Sequence, residues 1–529
     1  MGDAYGATIE RIKVQGGDKP RLGIAALMWI SHAEEQLMAD ELCHALAIEL
    51  GSTDFNTDNV PSITTLVGCC QGLITVDKEA SIVRLIHFTL QEYISTTPDI
   101  FNRPHSTMAE ICLTYLNSEQ VKAIPVDCSL DIPNVSFLKY SSLYWGVHAK
   151  TELSDHARSL ALQLLQECRG HISIKYLLKA EHWYPEGTDI GLLFGGLHWA
   201  SYFGVVEVVD ALIEMGCYHT DAGDFGGITP LAWAAWNGHE EVVKILLKRA
   251  EVNPNREDNH QTTPLVYAAL GGHEGVVKVL LTREDVYADQ PAGLGRTALS
   301  FAAERGRNGV AKILIGREEV NPHRPDDYGT TPLMYAAQQG HKEVVKVFLE
   351  YQEVDPDKPD SWDATLLWHA AAGGDEGAIE ILLGREETDA DKPDHLGMTL
   401  LSHAASNGLE ELVKILLGRK EVNPCKPDNC GRTPIFHAAM FGCDGIVKML
   451  LEREEVDPNK ADNWGKTPLS AAAGNGHEEV VKILLGRKDV IPDRPSDEGE
   501  TPLMCAIRNG HKKVIALLQP HEAIIPSTT

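Results

Sequence analysis

The sequence is poor in positive charge, and this deficit limits what the protein can bind. Its 529 residues include 47 lysines and arginines against 76 aspartates and glutamates, a formal net charge of −29 at pH 7. Nucleic acids and anionic lipid surfaces bind proteins through clustered basic side chains, and a surplus of acidic residues repels them. The charge balance therefore predicts neither nucleic acid nor membrane as a partner.

Long apolar runs and ordered cysteine spacings are missing as well. The sequence has no stretch of about 18 apolar residues that could span a bilayer, and its N-terminus lacks the apolar core of a signal peptide. Its 11 cysteines show neither metal-binding nor paired spacing, which is typical of free thiols in a reducing compartment. We therefore expect a cytoplasmic or nuclear protein, although no basic cluster requires nuclear import.

What the sequence does contain is a ten-fold internal repeat. The motif Thr-Pro-Leu-x-x-Ala-Ala begins at Thr229, and an equivalent threonine returns at every 34th residue as far as Thr501. One further step back reaches Gly195, where the leucine and one alanine persist without Thr-Pro. An unbroken period of this length indicates one structural unit stacked on copies of itself.

Each repeat predicts two helices and a tight turn. Thr229 is suited to cap the first helix and Pro230 to its first position, and the following Gly-His pair ends that helix. Residues 241–247 have the apolar spacing of a second, amphipathic helix. A glycine two residues before most of the repeated threonines predicts a turn with positive φ. Gln261 and Asp363 replace this glycine, so we expect two looser turns there.

The repeat resembles the ankyrin repeat, with Thr-Pro-Leu-x-x-Ala-Ala and Gly-His at that family's positions. The resemblance covers residues 190–520 and implies an all-α fold, an ankyrin solenoid of ten helix-turn-helix repeats with short β-turn tips. It also implies a function, because such arrays present long surfaces to partners and rarely carry chemistry. We therefore expect a non-catalytic scaffold or sensor module that recruits a protein partner to the concave groove of the array.

A different region precedes the array. Helical patterns at residues 22–33, 40–50 and 63–70, followed by two short strands on either side of residues 77–81, predict three helices and a two-stranded wing. This arrangement resembles the winged-helix module that follows the NACHT domain in fungal signalling ATPases. The expected domains are an N-terminal extension (1–20), a winged-helix-like domain (21–100), a helical connector (101–189), the ankyrin repeats (190–520) and a tail (521–529).

The ATPase domain of that family is not found in this sequence. A phosphate loop needs Gly-x-x-x-x-Gly-Lys-Ser/Thr. The nearest candidate, Gly465-Lys466-Thr467, has Lys460 where the first glycine is required, and it falls in a repeat turn. We therefore expect no nucleotide or other cofactor. The resemblance implies the sensor half of a signalling ATPase, and a separate NACHT-type ATPase is one candidate partner.

Motifs for catalysis and metal binding are missing too. Neither Gly-x-Ser-x-Gly nor His-Glu-x-x-His occurs. His239 and its equivalents follow a glycine in five repeats, and recurrence in register is typical of structural residues. His369, His403 and His437 stand on successive first helices, about 8–10 Å apart, which is too far to share a zinc ion with bonds of about 2.0–2.1 Å. The sequence thus predicts no metal site and specifies no enzyme.

Positions that vary between repeats are the candidates for partner binding. Aromatic side chains are frequent four residues after the threonine, on the first helix, and three residues before it, at the turn tip. Exposed aromatic residues are favoured anchors in protein interfaces. The predicted partner-binding residues, in the groove between the second and sixth repeats, are Trp233, Trp236, Tyr267, Phe301, Tyr328, Tyr335, Trp362 and His369.

Two alternatives to this site stay open. The helix positions can be packing residues between repeats, since arrays of this type often place an aromatic residue there. The groove can also bind a small molecule, as part of a catalytic or accessory protein of specialised metabolism. An open, shallow strip favours a protein partner, whereas a closed apolar pocket of roughly 300–1,000 Å³ favours a ligand or substrate.

Overall fold

The structure is a computed structural model that describes most of the chain. It falls into two compact units, residues 1–287 and 288–529, and each is described by itself. No helix in the described part of the chain is long and apolar enough to cross a membrane. The residues outside the description are 1, 53–54, 56, 78, 126–134, 169, 181–193, 217, 351–357, 362–363, 375, 385–387 and 522–529.

The first unit begins with a helix in the segment predicted as an N-terminal extension, followed by the predicted three helices and wing. The two strands of the wing pair antiparallel, with Ile74 opposite Leu85, and an isolated bridge between Met38 and Ile82 adds a third segment to the ribbon. The helix Ile63–Cys69, the third of the predicted three, is where a DNA-binding winged helix would carry its recognition residues. It contains no lysine or arginine. The elements are α1 (Gly2–Lys13), α2 (Lys19–His32), α3 (Ala39–Ala47), α4 (Ile63–Cys69), β1 (Ile74–Val76), β2 (Val83–Leu85) and α5 (Phe88–Ser95).

Among the described residues between this domain and the repeats there are five further helices. Trp145, on the third of them, is fully buried and packs edge-on against Trp199 and Phe203 of the first repeat, with ring centroids 5.9 and 5.1 Å apart. The hydroxyl of Tyr218 donates a 2.7 Å hydrogen bond to the carbonyl of Leu165. The connector therefore covers the apolar end of the stack, which terminal repeats require. The helices are α6 (Pro104–Asn117), α7 (Glu119–Lys122), α8 (Leu138–Thr151), α9 (Asp155–Gln166) and α10 (Ile172–Ala180).

The repeats follow as pairs of short helices. In the first unit these are α11 (Gly196–Phe203), α12 (Val206–Glu214), α13 (Pro230–Trp236), α14 (Glu240–Leu247), α15 (Pro264–Gly271) and α16 (Glu274–Leu280). In the second unit they are α17 (Ala298–Glu304), α18 (Asn308–Ile315), α19 (Pro332–Gln338), α20 (Lys342–Glu350), α21 (Leu366–Ala372), α22 (Glu376–Leu383), α23 (Leu400–Asn407), α24 (Glu410–Leu417), α25 (Pro434–Phe441), α26 (Asp444–Leu451), α27 (Pro468–Asn475), α28 (Glu478–Leu485), α29 (Pro502–Arg508) and α30 (Lys512–Leu518).

The repeat motif acts as the sequence predicts. The hydroxyl of Thr229 accepts the backbone N–H of Ala232 at 3.1 Å and caps α13, and Pro230 takes the first helical position. Seven described first helices in addition to α13 begin with the same cap, in which the threonine hydroxyl accepts a backbone N–H; the threonines are Thr263, Thr297, Thr331, Thr365, Thr399, Thr467 and Thr501.

The expectation of a looser turn at Gln261 is wrong. Gln261 adopts φ +62°, close to the +79° of the glycine at the equivalent Gly227. Its N–H donates to the carbonyl of Asp258, as the N–H of Gly227 does to Asp224. The surrounding hydrogen bonds therefore hold a residue with a Cβ in the left-handed conformation, at a cost of about 1–2 kcal/mol. Asp363, the other replacement, lies outside the described residues.

Candidate functional site

An aspartate in the turn before the first helix organises the tip in most repeats. In the second repeat, Oδ1 of Asp224 accepts the backbone N–H groups of Gly226 and Ile228 at 2.8 and 3.0 Å. Its Oδ2 accepts the indole N–H of Trp233 at 2.9 Å. Burial raises the pKa of the Asp224 carboxyl to about 6, although all three donors stabilise its charged form. One carboxylate thus closes the turn and holds the helix against it.

The same bond joins the turn to the first helix in five other repeats. The donor always stands nine residues after the aspartate and is a tyrosine hydroxyl or a histidine Nε2–H. Burial lowers the pKa of His369 and of His437, so these imidazoles donate in their neutral form. The pairs and distances are Tyr267–Asp258 (2.5 Å), Tyr335–Asp326 (2.6 Å), His369–Asp360 (3.0 Å), His403–Asp394 (2.8 Å) and His437–Asp428 (3.0 Å).

The fourth repeat shows what happens without the aspartate. Ala292 replaces it, and the helix position then holds Phe301, which has no polar group to donate. The Arg296 guanidinium instead lies 4.2 Å from the ring centroids of both Phe301 and Tyr335. It also pairs with Glu304 at 2.8 Å. A cation–π sandwich of this kind contributes about 0.5–2 kcal/mol and joins adjacent repeats of the second unit.

The aspartate hydrogen bonds and the Arg296 contacts determine how far the predicted site residues are exposed to solvent. Trp233, Tyr267 and His369 expose only 2, 4 and 4% of their surface. Phe301 and Tyr335 are half-buried around Arg296. The geometry of these positions supports the packing alternative for the helix positions, because a buried side chain offers little surface to a partner. A role for them in partner binding stays a prediction.

The remaining predicted residues differ in their environment. Trp236 is half-buried and packs edge-on against Tyr267, with centroids 5.1 Å apart. Tyr328, at a turn tip, exposes 43% of its surface. Trp362 lies outside the described residues. The structure therefore brings Trp236 and Tyr267 together in the first unit and Phe301 and Tyr335 in the second.

The histidines that follow a glycine are structural, as predicted. The Nε2–H of His239 donates to the carbonyl of Tyr202, 37 residues earlier, at 2.7 Å, and so joins one repeat to the preceding one. The other four bonds are His273 to Trp236 (2.8 Å), His341 to Glu304 (2.9 Å), His477 to Met440 (2.9 Å) and His511 to Gly474 (3.0 Å).

Large apolar side chains at the turn tips of the second unit remain exposed. We call four of them, at intervals that are multiples of the 34-residue period, the tip stripe: Leu294, Tyr328, Leu396 and Trp464, which expose 57, 43, 52 and 48% of their surface. The backbone beneath them is fixed by hydrogen bonds to the next repeat. The N–H of Asp327 donates to the carbonyl of Leu294 at 3.0 Å, and the carbonyls of the other three accept an N–H in the same way.

Cavities bear on the small-molecule alternative. A pocket of about 310 Å³ lies between α8 and the first repeats, lined by Tyr144, Lys150, Tyr202 and His239 among others. It is separate from the predicted aromatic positions. In the second unit, the pocket beside Trp368 holds only about 10 Å³. That volume is far below the roughly 300–1,000 Å³ of a typical ligand pocket.

Comparison with known families agrees with the geometry. A family model described as ankyrin repeats (3 copies) matches residues 197–290, 283–360, 367–462 and 454–528. A second, described as the winged helix domain of GPI inositol-deacylase, matches residues 11–112. No curated protein matches the chain. Ankyrin arrays are protein–protein interaction modules, and the first model covers more than half of the sequence. The chain belongs to the ankyrin-repeat family and carries an N-terminal winged-helix domain of the type associated with NACHT proteins.

Proposed function

We propose that the second unit recruits a protein partner along the tip stripe. The observation that carries this proposal is the alignment of four exposed, large apolar side chains at one repeat position. Single exposed apolar residues are common on protein surfaces, whereas an aligned set is typical of an interface. In this proposal the partner binds at the tips, and the hydrogen-bonded helix residues hold those tips in position.

Rigid tips favour binding, because little conformational entropy is lost when a partner docks. Three of the four tip residues, Tyr328, Leu396 and Trp464, lie in turns whose aspartate accepts two backbone N–H groups, as Asp326 does from Tyr328 and Thr330 at 2.9 Å. The carbonyl of Trp464 accepts the N–H of Asp497 at 3.0 Å. The anchors are thus held by their backbones before the partner arrives.

The charge of the surroundings indicates the chemistry of the partner. Exposed Asp327 and Asp497 lie beside the tips of Leu294 and Trp464, to whose carbonyls their N–H groups donate. The whole chain carries a formal charge of −29. A partner with apolar side chains spaced to match one repeat or two, about 8–10 or about 16–20 Å, and with basic residues between them would complement this surface, and its association would slow as salt rises.

The test starts with a pull-down on the intact chain, followed by mass spectrometry, and continues with the purified partner. The tip variant Leu396→Ser/Trp464→Ser removes two anchors, and the control Ile491→Ser removes an apolar side chain of similar exposure (46%) away from the tips. We expect the tip variant to weaken the partner's Kd at least about 10-fold with an unchanged melting temperature. The control should bind like the natural sequence. A tip variant with unaltered Kd would place the interface elsewhere.

A further inference from the structure

A group of potential metal ligands lies where the winged-helix domain meets the connector. Glu34 follows α2, His105 lies in the first turn of α6, and His148 lies near the end of α8. One carboxylate oxygen and two ring nitrogens, one from each residue, lie within 4.8 Å of one another. The partner-binding proposal makes no use of these residues, which belong to the first unit.

The two imidazoles are close to the spacing that a metal ion requires. Nδ1 of His105 and Nδ1 of His148 are 2.9 Å apart, and the ring centroids are 5.2 Å apart. Two nitrogens bound to one tetrahedral zinc ion stand about 3.3 Å apart, as bonds of about 2.0–2.1 Å dictate. A small separation of the rings would therefore admit an ion between the nitrogens and the carboxylate of Glu34.

The surroundings hold the most buried ligand in position. Nε2 of His148 is hydrogen-bonded to the hydroxyl of Tyr140 at 2.9 Å, and that oxygen accepts the backbone N–H of Glu34 at 3.2 Å. Metal-binding histidines almost always use their second nitrogen in such a bond, which fixes the ring. His148 is fully buried, so the packed side chains around it hold its ring in this orientation.

The carboxylate completes the set on the solvent side. Glu34 is exposed and His105 is half-buried. Within the described chain the carboxylate of Glu34 takes part in no ion pair, whereas that of its neighbour Glu35 pairs with Lys139 at 3.3 Å. An anionic oxygen without a cationic partner thus faces two imidazoles. Zinc binds this combination of ligands readily.

We propose that Glu34, His105 and His148 bind a Zn²⁺ ion, with water in the fourth position on the exposed side. The ion would join the segment after α2 to α6 and α8, and so clamp the winged-helix domain to the connector. Co²⁺ would occupy the same site, because it accepts the same ligands. Its visible absorption makes it a direct probe of coordination.

The experiment uses the full chain without a histidine tag, stripped of metal with a chelator. Zinc titration by calorimetry should show one equivalent bound, and Co²⁺ should give a tetrahedral visible spectrum. We expect Glu34→Gln to weaken zinc binding at least about 10-fold and His105→Ala to abolish the cobalt spectrum. Glu35→Gln is the matched control, since it alters the adjacent carboxylate, and it should bind zinc like the natural sequence.

Absence of a cobalt spectrum in the natural sequence would overturn the proposal and leave a hydrogen-bonded relay between the histidines. A spectrum that survives in both variants would also overturn it, because the ion would then be bound by other histidines. Circular dichroism establishes whether each variant folds. If His105→Ala does not, Glu34→Gln decides the question alone, since an exposed side chain can be changed without disturbing the core.

Discussion

The indole nitrogen of Trp233 donates a 2.9 Å hydrogen bond to the carboxylate of Asp224, nine residues earlier in the chain. Because that carboxylate also accepts two backbone N–H groups, the aromatic ring is part of the device that closes the turn. The frequency of aromatic residues at this helix position has a structural cause. In the proposed function, binding then depends on the tips, which the hydrogen-bonded helices hold in place.

Replacing Trp233 with phenylalanine should destabilise the first unit. The substitution keeps an aromatic ring in the same buried space but removes one of three donors to the Asp224 carboxylate. A hydrogen bond to a charged group contributes about 1.5–3 kcal/mol, so the free energy of unfolding should fall by that amount. Urea unfolding at pH 7 measures it. An unchanged midpoint would show that water replaces the indole at no cost.

Asp224→Asn tests the pH dependence of the same site. The folded pKa of Asp224, about 6, lies above the unfolded value of about 3.9. The folded chain therefore binds more protons between these values, and the contribution of Asp224 to stability falls as pH rises from about 4 to 6, by about 3 kcal/mol in all. Asparagine cannot ionise, so this fall should be missing from the variant. A constant difference between the two proteins across the window would contradict the raised pKa.

The repeats could be predicted from the sequence because their signals are local. The cap at Thr229, the proline after it and the glycine at Gly227 each act within a few residues, and the structure confirms all three. Gln261 could not be predicted in the same way. Its left-handed φ results from the hydrogen bonds of the whole turn, and the tertiary context overrides the preference of the residue.

The candidate site was only partly visible in the sequence. The aspartate nine residues before Trp233 could have indicated this hydrogen bond from the sequence alone. In the fourth repeat Ala292 replaces the aspartate, and the helix position there also lacks a donor. Exposure at Leu396 could not be read from the repeat, since it depends on what surrounds each tip. His105 and His148 lie 43 residues apart and meet only through the packing of α6 on α8.

Gln261→Gly should stabilise the protein. Gln261 holds φ +62° with a side chain, whereas glycine occupies this conformation without the steric cost. We expect the free energy of unfolding to rise by about 1 kcal/mol. Gly329→Ala is the reverse control, because a Cβ there meets the backbone nitrogen of Ser361 at 2.9 Å at φ +79°. A loss of stability with Gln261→Gly would mean that the glutamine side chain contributes more than its strain costs.

Cys443→His should stabilise the second unit. Cys443 stands at the position where His477 donates to a carbonyl 37 residues earlier, and the equivalent acceptor is the carbonyl of Ser406. The ring has room, because the residue that it would contact is Gly408. One added hydrogen bond is worth about 0.5–1.5 kcal/mol. The midpoint of thermal unfolding should rise for Cys443→His and not for Cys443→Ala. Equal midpoints would show that the new ring does not reach the carbonyl.

Gly146→Ala should separate the connector from the first repeat. Gly146 lies in α8, and a Cβ built on it would stand 2.1 Å from Cγ of Phe203, deep inside the van der Waals contact distance. Gly146 and Phe203 cannot move apart easily, because Trp145, adjacent to Gly146, is fully buried against the same repeat. Overpacking of this kind costs about 1–3 kcal/mol. Here it destabilises the contact between the connector and the first repeat.

The readouts are the melting temperature and limited proteolysis, which should release the array faster from Gly146→Ala than from the natural sequence. Gly68→Ala is the matched control, since Gly68 also lies in a helix of the first unit but a Cβ there meets nothing within 4 Å. Alanine is the better helix former by about 0.5–1 kcal/mol, so the control should melt at the same temperature or higher. If both variants behave alike, α8 does not pack tightly on the first repeat. The two regions would then be joined only by the chain.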